Sequence, residues 1–165
     1  MQNCSVLPRL PRSAAVVLWV VASGAAHVAL PITLARRGRH LGWRGGWPRT
    51  PNLGGALLVG AGTAGLAWSL AQHYHRAADD SYKLSLIPEY LLRSGPYRYS
   101  RNPIYLSELL MWLGWTELFG SPTLFAALAT IALGMRQAVA REEKTLVSVF
   151  GESWETYARE VPRWV

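Results

Sequence analysis

Two short stretches hold the side chains whose types and spacing can do chemistry. Gly95-Pro96-Tyr97-Arg98-Tyr99-Ser100-Arg101-Asn102-Pro103-Ile104-Tyr105 runs from a turn, through two guanidinium groups and three phenols, into an apolar run carrying the carboxylate of Glu108. Further on, Arg141-Glu142-Glu143-Lys144 forms a second polar cluster. A guanidinium such as that of Arg98 suits a carboxylate, the Glu142-Glu143 pair an ammonium or ribose hydroxyls, and the tyrosines an aromatic ring or a cation. Asn102, Tyr105 and Glu108 are three residues apart and so lie near one helix face. A carboxylate a turn or two inside an apolar helix is costly and tends to be functional. Together these groups suit a zwitterionic cofactor held at the edge of a membrane, with Glu108 and Arg98 as the reactive pair.

Each group also has a plainer reading. Arg98 and Arg101 are placed to bind lipid phosphates, and Tyr97, Tyr99 and Tyr105 to act as interfacial anchors. Glu142-Glu143 beside Arg141 and Lys144 matches a solvated helix end, and Glu108 can snorkel or be protonated. His27 reads first as a hydrogen-bonded core residue. His73 and His75 with Asp79 are poor metal ligands, because an i, i+2 pair points to different helix faces; no metal site is expected.

The elements that must position these residues are apolar runs. The chain has 165 residues, half of them apolar and 16% charged, against about a quarter charged in a typical soluble domain. Four stretches are long enough, or nearly so, for the ~20 residues that cross a ~30 Å hydrocarbon layer. They predict helices at roughly 14–34, 53–73, 103–119 and 122–140, the third the shortest. The expected fold class is all-α: a polytopic membrane protein, one membrane domain over 1–165, with the cofactor-binding half at about 88–165. The first segment shares a basic start (Arg9, Arg12) and small residues (Ala22 to Ala26) with signal peptides. Its apolar run continues to Ala35, which favours a retained anchor.

Local signals fix how these elements meet. Gly54, Gly55, Gly60, Gly62 and Gly65 line the second helix and predict close helix packing. Asn102 is a good N-cap and Pro103 suits a first helical turn, so the third helix starts inside the motif with its positive end beside Arg98 and Arg101. Gly120-Ser121-Pro122 predicts a tight turn and an antiparallel hairpin. The hairpin brings Asn102 next to Arg141, and with it Arg98 and Glu108 towards Glu142 and Glu143. Beyond it, Leu146, Val149, Phe150, Trp154 and Tyr157 recur at helical spacing, as in an amphipathic helix lying along a membrane surface.

The net charge of +7 would suggest nucleic acid in a soluble protein; in a membrane protein its distribution decides, and no nucleic-acid partner is expected. Four helices put the N-terminus, the 76–101 loop and the tail on one side. That side holds twelve of the seventeen Lys and Arg residues, and the loop from Arg36 to Arg49 holds the other five. The majority side, with the site, is expected to face the cytoplasm. The basic loop is discordant; its Trp43 and Trp47 suit the headgroup zone. Cys4 is the only cysteine, so no internal disulfide forms.

Leu91-Leu92-Arg93-Ser94-Gly95-Pro96-Tyr97-Arg98-Tyr99-Ser100-Arg101-Asn102-Pro103-Ile104-Tyr105-Leu106 resembles the first signature of the small integral-membrane methyltransferases, which include isoprenylcysteine carboxyl methyltransferase and the phospholipid N-methyltransferases. Glu142-Glu143-Lys144-Thr145-Leu146, then Phe150-Gly151, Tyr157 and Val161-Pro162-Arg163, resembles the second. The resemblance implies S-adenosylmethionine as methyl donor, held between the Gly95-Pro96-Tyr97 turn, the start of the third helix and Glu142-Glu143. Carried over by position, Leu91, Leu92, Tyr97, Asn102, Pro103, Ile104, Tyr105 and Glu142 are the expected contacts, with Glu89 and Tyr90 as extensions. The acceptor would be a lipidic or amphipathic molecule reached from the membrane lipids, with a carboxyl or amine group. Prenylcysteine enzymes usually carry His where this chain has Asn102, and an arginine where it has Ala138; both departures weigh against prenylcysteine. Two other readings stand beside this one. Gly151-Glu152-Ser153-Trp154-Glu155-Thr156-Tyr157 is somewhat similar to membrane sterol reductases, which are much longer. A non-enzymatic or inactive small membrane protein is the third.

Overall fold

The computed structural model describes residues 10–36, 38–41, 43–44, 47–76, 81–82 and 90–165. Asp79, Lys83 and Glu89 lie outside the described residues. The protein is mostly helical. A first helical arm consists of α1 (Arg12–Gly24), a π-helical stretch (Ala25–Ala29) and α2 (Leu30–Ala35); α3 is Thr50–Arg76, α4 Pro103–Phe119, α5 Pro122–Phe150 and α6 Glu152–Glu160. Two-residue strands make two minor antiparallel pairs, Leu10–Pro11 with Ser81–Tyr82 and Trp43–Arg44 with Trp47–Pro48.

Residues 52–75 in α3 and the whole of α5 are long and apolar enough to cross a membrane. The first arm and α4 fall short of that standard. The 17 residues of α4 span about 26 Å at 1.5 Å per residue, just under a ~30 Å hydrocarbon layer. The fourth predicted helix was expected to stop near 140, yet α5 runs on to Phe150. Nothing in Arg141–Val149 breaks a helix, and only Gly151, at φ 50°, ends it.

The tightest pairing in the molecule is α3 against α4, and glycine permits it. A Cβ at Gly62 would stand 2.5 Å from Met111 Cγ and 2.7 Å from the Ser107 carbonyl oxygen. One at Gly114 would meet the Gly55 carbonyl oxygen at 2.6 Å. The backbones approach closely because glycine puts no side chain of its own at these positions. Gly60 belongs to the same run but faces open space, so only part of the glycine pattern is a packing stripe. Trp112, Ala35 and Leu124 form the buried core where α4, α2 and α5 meet, with Trp115, Phe119 and Ile131 packed against them.

The Gly-Ser-Pro turn forms the predicted hairpin. Gly120 adopts the left-handed conformation at φ 54°, and Ser121 Oγ accepts from the Leu124 N–H to start α5. The last carbonyls of α4 lack further helical donors, and the basic loop and the first turn of α3 supply them. Trp43 Nε1 donates to Leu118 O at 2.9 Å, Asn52 Nδ2 to Glu117 O at 2.9 Å and the Leu41 N–H to Gly120 O at 2.9 Å. His40, Trp43, Phe119 and Trp115 stack in sequence behind these bonds. Trp43 therefore caps the end of α4; Trp47 is 77% exposed.

Candidate functional site

Gly95 sits at φ 61°, a conformation open to glycine, and begins a 3-10 turn through Arg98. Residues three apart in such a turn eclipse one another, so Gly95 and Arg98 share a side while Pro96 and Tyr97 turn inward and are buried. Arg98 is exposed. The guanidinium expected to face the site is instead that of Arg101, three residues on.

Asn102 occupies the N-cap position of α4, but its side chain does not cap the helix. Its Nδ2 donates to the Arg163 carbonyl oxygen at 3.0 Å, and its backbone N–H donates to Ser100 Oγ at 3.1 Å. Ser100 Oγ donates to the same carbonyl at 3.2 Å, and the Arg101 N–H to Pro162 O at 3.0 Å. A carbonyl brought from the far end of the chain has displaced the local capping bond. This tail contact holds the two polar segments together.

The same convergence redirects Glu143. Its carboxylate accepts from Arg101 at 3.0 Å and from Arg163 at 3.1 and 2.5 Å. Those hydrogen bonds, and then the negative charge, raise the Arg163 guanidinium above its ordinary value. With two guanidinium partners, Glu143 braces the start of α4 against the tail and does not line the cavity. Gly95 and Arg98 are likewise outside it.

The cavity itself has a volume of about 340 Å³, within the range of small-molecule sites. Leu91, Leu92 and Tyr97 form one wall, and Asn102, Pro103, Ile104, Tyr105 and Glu108 of the α4 start form the next. Glu142 and Leu146 of α5 face them, and Trp154 and Tyr157 of α6 close the remaining side. Nine of the expected site residues thus meet on one cavity, as the hairpin argument required. The apolar face of α6 was expected on a membrane surface; Trp154 and Tyr157 are instead buried against the cavity.

Polar groups on the cavity are held in place by one another. The Tyr105 hydroxyl donates to Glu142 Oε2 at 3.1 Å. The Tyr97 hydroxyl lies 2.7 Å from His73 Nε2, and its carbonyl accepts from the Tyr157 hydroxyl at 2.7 Å. Burial pushes the Tyr157 phenol up to about 12, against the opposing pull of Arg101 and Arg93. Arg93 also binds the Ser153 carbonyl oxygen and stands over the Tyr157 ring, fixing α6 to the first wall. Tyr97, Tyr105 and Tyr157 are thus hydrogen-bonded inside the protein, whereas Tyr99 is exposed.

Arg101 lies over the Trp154 ring, 5.6 Å from its centroid. Among the described residues, its Nε is a buried side-chain nitrogen without a hydrogen-bond partner. A buried donor in that condition is costly, and a ligand oxygen on the cavity would relieve it. Glu108 also lines the cavity, its Oε1 3.6 Å from His27 Nε2. Sequence reasoning missed Arg101, His73 and Trp154 as members of this site. The aromatic spacing of α6 was a signal for Trp154, but it was assigned to the membrane. The arrangement can bind a small molecule carrying both charges and an aromatic group, through Arg101, the carboxylates of Glu142 and Glu108, and the ring faces.

Two helices long and apolar enough to cross a membrane, with a cavity where polar ends meet, are features of a helical membrane-type protein with an enzyme-like site. The chain belongs to the phospholipid methyltransferase family: residues 53–153, more than half of its length, match that family. The match takes in the first wall, the α4–α5 hairpin and the Glu142-Glu143 pair. A protein of Haemophilus influenzae described as uncharacterized is 36% identical over 63 residues, which are 38% of this chain and all of that protein. No solved structure matches. Family membership points to a membrane methyltransferase.

Proposed function

We propose that the protein transfers a methyl group from S-adenosylmethionine to a lipidic or amphipathic acceptor, amine or carboxyl, at the cytoplasmic edge of a membrane. The observation that carries this reading is the single cavity shared by Tyr97, Asn102, Tyr105 and Glu142, residues drawn from both signature segments. The donor set fits the cofactor: Glu142 suits its ammonium or ribose hydroxyls, the orphaned Arg101 Nε its carboxylate, and Tyr97 and Trp154 its aromatic and cationic parts. When bound, the cofactor supplies an already activated methyl group, so a strong base is not required.

The chain's own work is alignment and exclusion of water. Leu91, Leu92, Ile104 and Leu146 give the cavity its apolar surface, and α6 covers it. Glu108 is suited to orient the acceptor or to take its proton. Apolar side chains exposed on the first arm and α5, among them Val17, Val20, Val21, Phe125 and Leu133, support a lipid-embedded bundle in which the first arm and α4 also cross. The excess of Lys and Arg at the site's end of the bundle favours the cytoplasmic side.

The test is a calorimetric titration of detergent-purified protein with S-adenosylmethionine. Saturable binding is expected, and Tyr97→Ala combined with Glu142→Ala should abolish it. No binding by the unaltered protein, or full binding by the double variant, would overturn the reading.

A further inference from the structure

Pro31 has no N–H, so the carbonyl of His27, four residues earlier, loses its ordinary helical donor. The chain widens at this point. Ala25–Ala29 is π-helical, and the Leu30 N–H reaches back five residues to Ala25 O. The indole Nε1 of Trp115 donates to the His27 carbonyl oxygen at 2.6 Å, which replaces the missing partner and fastens the stretch to α4. Single π turns re-aim side chains and recur at functional sites. The side chain aimed here is His27, 7% exposed.

One ring nitrogen of His27 has its hydrogen assigned by its surroundings. Nδ1 lies 3.0 Å from the Ser23 carbonyl oxygen and 3.4 Å from the Ser23 hydroxyl, the carbonyl being the nearer contact. A carbonyl only accepts, so Nδ1 carries a hydrogen. Nε2 then faces α4, where Glu108 Oε1 lies 3.6 Å away. Glu108 lines the cavity and His27 stands behind it. The cavity wall therefore has a carboxylate in front, an imidazole of fixed orientation behind it, and room for one shared proton between them.

We propose that His27 is a positioning residue for Glu108, and that the two form a proton-accepting pair on the inner wall of the cavity. What the pair serves rests on the methyl-transfer reading above. An acceptor N–H or O–H breaks, an O–H bond forms on the Glu108 carboxylate, and His27 Nε2 either accepts a hydrogen bond from it or takes the proton. The pair changes from one net negative charge to none, and no further reactant is needed.

The experiment uses the full chain in detergent with ¹⁵N-labelled histidine, His27 being identified by loss of its signals in His27→Gln. The neutral ring should show the Nδ1–H tautomer. Glu108→Gln should move the Nε2 resonance and leave Nδ1 in place. In methyl-transfer assays, His27→Gln and Glu108→Gln should each lower kcat at least about tenfold, general-base effects typically being about 10² to 10⁴-fold. The double variant should be no slower than Glu108→Gln alone. An Nε2 resonance indifferent to Glu108→Gln, or losses that multiply in the double variant, would overturn the pairing. The nitrogen spectra decide the pairing even if the protein transfers no methyl group. Conversely, normal transfer with an unresponsive Nε2 rejects the pair and leaves the methyltransferase reading intact. Should His27→Gln fail to fold, substitutions of His40, His73 and His75 identify the His27 signals by elimination, and the Glu108→Gln spectra then decide the pairing.

Discussion

Replacing Gly62 by alanine tests whether the site depends on direct backbone contact between α3 and α4. The added Cβ would meet Met111 Cγ at 2.5 Å, Ser107 O at 2.7 Å and the Met111 nitrogen at 2.9 Å. Met111 Cγ can swing away, but the other two atoms are α4 backbone. Ordinary carbon contacts need about 3.5 Å or more, so the helices must part by somewhat under ~1 Å. Overpacking of this kind costs about 1–3 kcal/mol. Gly60→Ala is the control: it lies on the same helix, faces open space, and gains about 1 kcal/mol of helix propensity. Gly62→Ala gains the same propensity, so the two variants should differ by the overpacking cost alone, about 1–3 kcal/mol. Thermal unfolding in detergent would show this as a Tm gap of roughly 2–12 °C, taking ~2–4 °C per kcal/mol for a chain of this size. Ligand binding should also weaken in Gly62→Ala, because His73 rides on α3 and holds Tyr97 at 2.7 Å. Equal Tm values for the two variants would refute the close-contact account.

The remaining expectations follow from the site. Arg98→Ala should leave donor affinity within about twofold, whereas Arg101→Ala removes the cavity's guanidinium and should weaken it at least about tenfold, roughly 1.4 kcal/mol; titration calorimetry distinguishes them, and equal effects would sink the reassignment. Glu143→Gln leaves the largely buried Arg101 without its counter-charge and should cost about 3 kcal/mol, read as a lower Tm than that of Glu142→Gln. Tyr157→Phe strips the Tyr97 carbonyl of its donor and should cost about 1–2 kcal/mol. The Tyr157 phenol titrates near 12 in the fold and near 10 unfolded. Its contribution is therefore constant below about pH 10 and lost as pH rises from there towards 12. Stability scans should show that alkaline loss in the unaltered protein and a smaller one in Tyr157→Phe.

Much of the positioning is written locally in the chain. Apolar runs with clear punctuation fix α3, α4 and the hairpin: Pro103 and Gly120 bound α4 where expected, and a Gly-Ser-Pro turn leaves adjacent helices little choice but to run antiparallel. From that geometry, the meeting of Asn102, Tyr105 and Glu108 with Glu142 is legible in the sequence alone. The glycine run also announces close packing, although not which glycines face α4.

What the sequence could not rank were interactions between distant residues. Asn102 is a natural cap, but the Arg163 carbonyl arrives from the tail and wins its side chain. Arg98 and Arg101 look equivalent in a string; a turn of three residues per rotation sends the first outward, and Glu143 and Trp154 gather the second in. Amphipathic spacing in α6 says that one face is covered, not whether lipid or protein covers it. The widened turn at His27 needed both Pro31, visible locally, and Trp115 from another helix to hold it. Local propensity and turn chemistry determined the helices and their order, because those depend on neighbours along the chain. Which polar groups face the cavity was decided by partners far apart in sequence, whose competition is resolved only when the helices pack.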